Sequence, residues 1–224
     1  MTHTVSPSLS AALSRVARDL RAARREALDA IDVAETEWEY AGRTWSWPAG
    51  EARTYFHELA PGEEAVLADA AAAHGVEVLG VGTGRVAVEI PAEFDSDDEH
   101  RDGADRPSIV AKLARYGPSA EMGDGRPQNR REKRVWETVS AHPFLPVLSA
   151  GDEGAWLTMP RATVPPPAAE RETALSRVRD ALAAHDDRFH FDELKAENVG
   201  AHDGRYWIVD YGRPPGDPLF VDPP

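Results

Sequence analysis

Two polar segments near the C-terminus concentrate the side chains that could do chemistry. Residues 190–199 read His-Phe-Asp-Glu-Leu-Lys-Ala-Glu-Asn-Val, and residues 207–212 read Trp-Ile-Val-Asp-Tyr-Gly. Carboxylate and amide oxygens are hard ligands of the kind that Mg²⁺ prefers, and a bound Mg²⁺ often also holds substrate phosphates. A carboxylate can, in addition, accept the proton of a hydroxyl group. These residue types are therefore able to bind a metal ion and to accept a proton.

The order and spacing of the two segments resemble the catalytic loop and the metal-binding Asp-Phe-Gly motif of protein kinases. Residues 194–199, Leu-Lys-Ala-Glu-Asn-Val, are similar to the family's Leu-Lys-Pro-Glu-Asn-Val, and residues 210–212 stand where the family has Asp-Phe-Gly. The resemblance implies that Asn198 and Asp210 bind Mg²⁺ and that Lys195 belongs to the catalytic loop. Asp-Tyr-Gly alone is a common turn, but two motifs in this order are a more specific signal.

The catalytic base that the resemblance implies has two candidates. The family pattern has an aspartate five residues before the asparagine, and Glu193 occupies that position here. Asp192 completes a His-x-Asp triplet with His190 but lies six residues before Asn198. Either the loop has one additional residue and Asp192 is the base, or Glu193 has replaced the aspartate.

Upstream residues are candidates for binding a nucleotide. Residues 109–113, Ile-Val-Ala-Lys-Leu, fit the family's Val-Ala-Ile-Lys strand, which implies that Lys112 binds the α- and β-phosphates. Lys112 is one of three lysines in a chain whose other basic side chains are arginines. The alternative is that Lys112 points to solvent from an edge strand, as charged residues often do.

The helix after this strand carries the implied partner of Lys112. Residues 129–136, Asn-Arg-Arg-Glu-Lys-Arg-Val-Trp, place Glu132 on that helix, and Glu137 is a second candidate. The competing interpretation is a capping box, in which Asn129 begins the helix and Glu132 accepts a hydrogen bond from a backbone N–H group.

Three glycines at alternate positions, Gly80, Gly82 and Gly84, lie between two predicted strands. A dinucleotide-binding fingerprint would open a helix, so that interpretation fails. The order strand–turn–strand is that of the glycine loop over the phosphates in kinases, and a plain hairpin turn shares it. Residues 155–162 match the strand that leads into a kinase hinge, which implies that Met159 contacts the adenine.

Composition limits the partners. The chain has 39 acidic and 25 basic residues and a net charge of −14, which argues against a general nucleic-acid binder. An acidic, lysine-poor, alanine-rich chain resembles haloarchaeal cytoplasmic proteins, in which molar salt screens the repulsion. A GC-rich genome would also replace lysine with arginine.

With no cysteine, no membrane-spanning apolar stretch and no signal peptide, we expect a cytoplasmic protein without membrane contact.

Hydrophobic periodicity predicts the elements that must position these residues. The expected helices cover residues 7–35, 61–74, 129–141 and 168–185. The expected strands are a hairpin over 38–47 and segments at 76–79, 85–90, 108–114, 145–149 and 155–159. An acidic loop is expected at 93–106, and the arginines of the first helix are expected to lie mainly on a solvated face.

We expect an α+β, protein-kinase-like fold: a helical N-terminal extension, an antiparallel nucleotide-binding lobe and a strongly reduced C-terminal lobe. The corresponding segments are residues 1–75, 76–162 and 163–224. Twelve residues follow Gly212, so the family's platform for peptide substrates is expected to be absent. The extension either packs against the nucleotide lobe or replaces part of the missing lobe.

Three functions follow from these features. The resemblance implies a protein that binds ATP and Mg²⁺ and transfers phosphate to a small substrate or a docked protein. The altered catalytic loop favours instead a pseudokinase, a module that contacts a protein partner without turnover, for which Trp38, Trp45 and Trp47 offer a surface. The third is an acidic α+β protein of a salt-adapted cell whose role the sequence does not indicate.

Overall fold

The protein has an α+β architecture built on antiparallel sheets. The computed structural model describes residues 5–31, 35–40, 43–48, 58–91, 108–118, 123–185 and 194–212, with the backbone alone in 35–48. Within these ranges the α-helices are α1 (Pro7–Asp29), α2 (Pro61–His74), α3 (Gly125–Val139) and α4 (Arg171–Ala183). The strands are β1 (Glu35–Tyr40), β2 (Arg43–Pro48), β3 (Glu77–Val81), β4 (Arg85–Ile90), β5 (Ile109–Ala114), β6 (Ser149–Ala150), β7 (Trp156–Pro160), β8 (Val199–His202) and β9 (Arg205–Ile208).

A five-stranded sheet is the centre of the fold. Its strand order is β3-β4-β5-β7-β6, and every neighbouring pair is antiparallel. β5 therefore lies in the middle, between β4 and β7. β1 and β2 form one separate hairpin, and β8 and β9 form another. The prediction of an α+β fold with an antiparallel sheet is confirmed.

The two faces of the sheet have different roles. On β4, Val86, Val88 and Ile90 are buried in a core that α1 and α2 also enter. Successive side chains of a strand point to opposite faces. Ala87 on β4 and its cross-strand partner Lys112 on β5 consequently face the other side, away from α1.

Helix α1 packs on the first of these faces. Apolar residues spaced three, four or eight apart form its buried stripe: Leu9, Leu13, Ala17, Leu20 and Leu28. The Ser6 side chain caps the helix by accepting a hydrogen bond from the Leu9 N–H group at 3.2 Å. The predicted end at residue 35 is wrong, because the helix ends at Asp29.

The expected solvated face of α1 is wrong for two of its arginines. Arg24 is fully buried, and its Nη1 atom donates to the Thr83 carbonyl at 2.7 Å. Arg21 binds both carboxylate oxygens of Asp124, at 2.9 and 3.0 Å. Burial, with a contribution from the neighbouring Arg115, lowers the pKa of Arg24 to about 9, so the side chain keeps its charge at neutral pH.

The other predicted helices differ mainly at their ends. α2 matches its predicted range and is followed by Gly75, whose φ of 67° is the left-handed conformation that glycine adopts without strain. α3 begins at Gly125 rather than at residue 129, because the Asp124 carboxylate caps it by accepting from the Arg126 N–H group at 3.0 Å. α4 covers Arg171–Ala183 of the predicted range.

The strand predictions fall on observed strands, with shifts at the ends. The predicted segments 85–90 and 108–114 agree with β4 and β5, whereas 145–149 contains only the start of β6. The acidic loop at 93–106 lies outside the described residues. In the described ranges no helix combines the length and the apolar character needed to cross a membrane.

A second core lies beneath the sheet, between α3, α4 and the β8–β9 hairpin. Its fully buried members include one or more residues from each of these elements: Val135, Phe144, Leu157, Val178, Val199, Ile208 and Tyr211. The Tyr211 hydroxyl donates to the Leu145 carbonyl at 2.7 Å, and Phe144 packs edge-on against the Tyr211 ring. This core fixes the segment 209–212 against α3.

Candidate functional site

A cleft of about 640 Å³ lies on the face of the sheet opposite α1. The β3–β4 turn, strands β4 and β5, the end of β7 and the segments beside β8 and β9 form its walls. Most residues that the sequence singled out as binding residues lie along it.

Lys112 and Glu132 form an ion pair at the inner end of this cleft. The Lys112 Nζ atom lies 2.7 and 2.9 Å from the two carboxylate oxygens of Glu132, which is fully buried. Nζ also donates to the Val209 carbonyl. Burial lowers the pKa of Lys112, and the Glu132 carboxylate opposes part of that effect. Because β5 is a central strand and Lys112 is 9% exposed, the edge-strand interpretation is wrong.

Helix α3 holds Glu132 in place through Asn129, almost one turn earlier. The Asn129 Nδ2 atom donates to the Lys112 carbonyl at 3.1 Å and to the Gly154 carbonyl at 2.9 Å. The capping-box interpretation is wrong, since both residues lie inside the helix. Glu137, the second candidate, pairs instead with Lys133 at the surface, at 2.7 Å.

The β8–β9 hairpin brings Asn198 and Asp210 to the same cleft. Its register pairs Val199 with Ile208, and the Val209 N–H group donates to the Asn198 carbonyl at 2.9 Å. Asn198 and Asp210 therefore flank the paired ends of two antiparallel segments, and both line the cleft. The predicted short hairpin between the two motifs is observed.

The segment 210–212 also contacts the Lys112–Glu132 pair through its backbone. The Tyr211 N–H group donates to a Glu132 carboxylate oxygen at 3.1 Å. Gly212 lies against α3 so closely that an added Cβ atom would be 2.4 Å from the Gln128 carbonyl oxygen. Any larger residue at position 212 would therefore displace the segment from the helix.

Arg85 is a residue of the cleft that the sequence interpretation missed. Its Nη1 atom lies 3.0 Å from Glu132 and 3.3 Å from the Asn129 side-chain oxygen, and its Nη2 atom lies 2.6 Å from Asp210. Burial opposes the charge of Arg85, but the carboxylates of Glu132 and Asp210 outweigh it and raise the pKa of the guanidinium. The only sequence signal was its position directly after Gly84.

The predicted glycine segment is the turn between β3 and β4, with Gly80 inside β3 and Gly84 buried. The Gly82 carbonyl accepts from Arg115 Nη1 and the Thr83 carbonyl from Arg24 Nη1, each at 2.7 Å. In a trans peptide the following N–H group points the opposite way. The N–H groups of Thr83 and Gly84 therefore point away from the two guanidinium groups.

This turn rests on the start of α3. An added Cβ atom at Gly125 would lie 1.9 Å from the Gly84 carbonyl oxygen, so only glycine permits this contact. The Arg115 N–H group donates to the same Gly84 carbonyl at 2.7 Å. The turn is thus held by contacts from α1, from the end of β5 and from α3.

The remaining predicted residues have different positions. Met159, at the end of β7, is buried and lines the cleft. Lys195 is exposed and is not one of the lining residues within the described ranges. Asp192 and Glu193 lie outside the described residues. Across the described ranges, no group of three or more histidine, cysteine, aspartate or glutamate side chains forms a metal site.

Comparisons with known proteins identify no family for this arrangement. No family model matches the chain, and a search of the curated proteins finds no match. The geometry itself combines a buried lysine–glutamate pair, a braced turn and two side chains with hard oxygen atoms, all beside one cleft. Such a set can bind a phosphorylated compound, because ammonium, guanidinium and backbone N–H groups all donate to phosphate oxygens.

Proposed function

We propose that the protein is a kinase-like nucleotide-binding protein that binds ATP in the cleft. The observation that carries this proposal is the Lys112–Glu132 pair, at 2.7 Å, beside the segment that bears Asp210. In protein kinases, which the sequence resembles, a strand lysine paired with a helix glutamate contacts the nucleotide phosphates.

The walls of the cleft suit the two parts of a nucleotide. Ala87, Val110 and Met159 supply apolar side chains for a base. At the inner end, Lys112 and the N–H groups of Thr83 and Gly84 are the proposed phosphate donors. Apolar walls with a few convergent polar groups are typical of small-molecule sites.

Asn198 and Asp210 are the residues that would hold Mg²⁺. They offer an amide oxygen and a carboxylate group, both of which suit this ion; one carboxylate oxygen of Asp210 binds Arg85. When bound, Mg²⁺ would neutralise phosphate charge. For phosphate transfer, the proposed base that accepts the hydroxyl proton is Asp192 or Glu193, with Lys195 in the same loop.

A second candidate function is a pseudokinase, a nucleotide-binding module that contacts a protein partner without transferring phosphate. The observation that favours it is the 2.6 Å contact between Arg85 and Asp210, because an arginine occupies one oxygen of the proposed metal ligand. Release of labelled phosphate from ATP separates the two candidates, because only the phosphotransferase would produce it.

Replacing Lys112 with methionine is expected to weaken ATP binding. ATP at about a hundred times its dissociation constant should stabilise the wild-type protein by about 2.7 kcal/mol in thermal unfolding. Loss of a charged hydrogen bond weakens binding by about 1.5–3 kcal/mol. At the same ATP concentration, the stabilisation of the variant should therefore fall to about 0.3–1.3 kcal/mol.

Two further variants separate loss of binding from damage to the fold. Lys133→Met removes an exposed lysine on α3 and should keep the full ATP-induced shift. Ala87→Phe fills the cleft without removing a charge and should abolish the shift. If ATP stabilises none of these proteins, including the wild type in molar KCl, the proposed function is wrong.

A further inference from the structure

Arg85 is a buried, positively charged residue that lines the proposed nucleotide-binding cleft. It is the first residue of β4, directly after the glycine turn, and its side chain is 8% exposed. Its guanidinium group bridges Glu132, which pairs with Lys112, and Asp210, the proposed metal ligand. The group thus occupies the position between the phosphate-binding lysine and the metal-binding carboxylate.

The described members of this cluster carry equal numbers of positive and negative charges. Arg85 and Lys112 carry two positive charges, and Glu132 and Asp210 carry two negative charges. A divalent cation on Asp210 would face the guanidinium at short range, and like charges repel strongly where little water screens them. The arginine therefore disfavours a tightly bound metal ion at the same carboxylate.

The guanidinium retains hydrogen bonds for a ligand. An arginine has five N–H groups in a fixed plane. Within the described residues, Arg85 meets three side-chain acceptors: Glu132, Asn129 and Asp210. Asp210 is 46% exposed, and both Arg85 and Asp210 line the cleft. Planar guanidinium groups bind phosphate oxygens with two parallel hydrogen bonds.

We propose that Arg85 is a phosphate-binding residue that bridges Asp210 and the nucleotide phosphates, so that the protein binds ATP without a divalent cation. The inference rests on the proposed function, because it assigns a residue and an ionic requirement to the same cleft. Mg²⁺ is then needed for chemistry at the phosphates rather than for holding the nucleotide.

The test is the dissociation constant of ATP, measured by titration calorimetry in excess EDTA and in excess magnesium chloride. For the wild type, the two values should differ by less than about tenfold. Arg85→Gln should weaken binding in EDTA by about 10- to 100-fold, the contribution of a charged hydrogen-bonding group. Arg130→Gln, which removes an exposed arginine of α3 outside the cleft, should bind as the wild type does.

A second variant keeps the test valid if Arg85→Gln folds poorly. Asp210→Asn removes the carboxylate that a metal ion would need, and Asp210 is partly exposed, so the fold should tolerate the change. ATP binding in EDTA should persist in this variant. If magnesium chloride tightened ATP binding by the wild type more than about a hundredfold, the inference would be overturned and the proposed function would stand. Loss of ATP binding by Asp210→Asn in EDTA would have the same consequence. No binding of ATP by the wild type in either buffer would overturn the proposed function as well.

Discussion

Glu132→Ala is expected to destabilise the protein by about 3–5 kcal/mol, the usual effect of removing one partner from a buried ion pair. The carboxylate of Glu132 is fully buried and lies within hydrogen-bond distance of Lys112, Arg85 and the Tyr211 N–H group. Its removal leaves two buried cations close together. Urea unfolding measures the change in stability. It is carried out in molar KCl, because salt screens the repulsion between acidic residues at the surface.

The matched control is Glu137→Ala on the same helix. Glu137 pairs with Lys133 across one turn, but both side chains are about half exposed. Exposed pairs of this kind contribute about 0.3–0.5 kcal/mol and are weakened by salt. Equal effects of the two substitutions would contradict the assignment of Glu132 to a buried charge cluster.

Glu63 lies on the opposite side of the glycine turn. Glu63→Ala is expected to destabilise the protein by a similar amount, about 3–5 kcal/mol. Glu63 binds Arg115 through both oxygens, at 2.8 and 2.6 Å, and both side chains are fully buried. The carboxylate also accepts from the Ala60 N–H group at 2.9 Å at the start of α2. Glu64→Ala, one residue along and exposed, should change stability by less than about 0.5 kcal/mol.

A double variant shows whether this pair serves the fold or the cleft. Replacing both partners, as Glu63→Leu with Arg115→Met, removes two buried charges together and can be close to neutral in stability. It also removes the Arg115 contact to the Gly82 carbonyl. Stability near that of the wild type with weaker ATP binding would indicate that Arg115 positions the glycine turn; unchanged binding would contradict that role.

Local sequence patterns predicted two kinds of element correctly. One kind has its apolar residues on one face, and the other has strong sequence signals at its ends. Helix 61–74 has Pro61 at its start and Gly75 after its end, and both signals act within a few residues. Strand 85–90 alternates between a buried face and a half-buried face, which its sequence shows directly. In these cases the information that fixes the structure lies in the segment itself.

The packing of Gly125 at the start of α3 and the burial of Arg24 depend on distant contacts and were not predictable in this way. Gly125, the first residue of α3, packs against the Gly84 carbonyl in the β3–β4 turn, where a larger residue would clash. Arg24 is buried because its partner is the Thr83 carbonyl, 59 residues away. A helical pattern read along the sequence shows neither contact, so it assigned the arginines of α1 to solvent.

The candidate site was predictable in its list of residues but not in its charge arrangement. Family-like motifs selected Lys112, Asn198 and Asp210, and the structure brings all three to one cleft. The motifs gave no role to Arg85, whose contacts join residues 44 and 125 positions away. The proposed binding of ATP without a divalent cation depends on that arginine. It could therefore be inferred only from the three-dimensional arrangement.

The central claim is that ATP binds in this cleft, and hydrogen–deuterium exchange with and without ATP tests it most directly. Binding should slow exchange of backbone amides in residues 82–86 and 196–212 and leave α4 unchanged, because ligand contacts reduce local opening. Lys112→Met should lose this protection at the same ATP concentration. Unchanged exchange in both segments, or protection confined to other parts of the chain, would contradict the account.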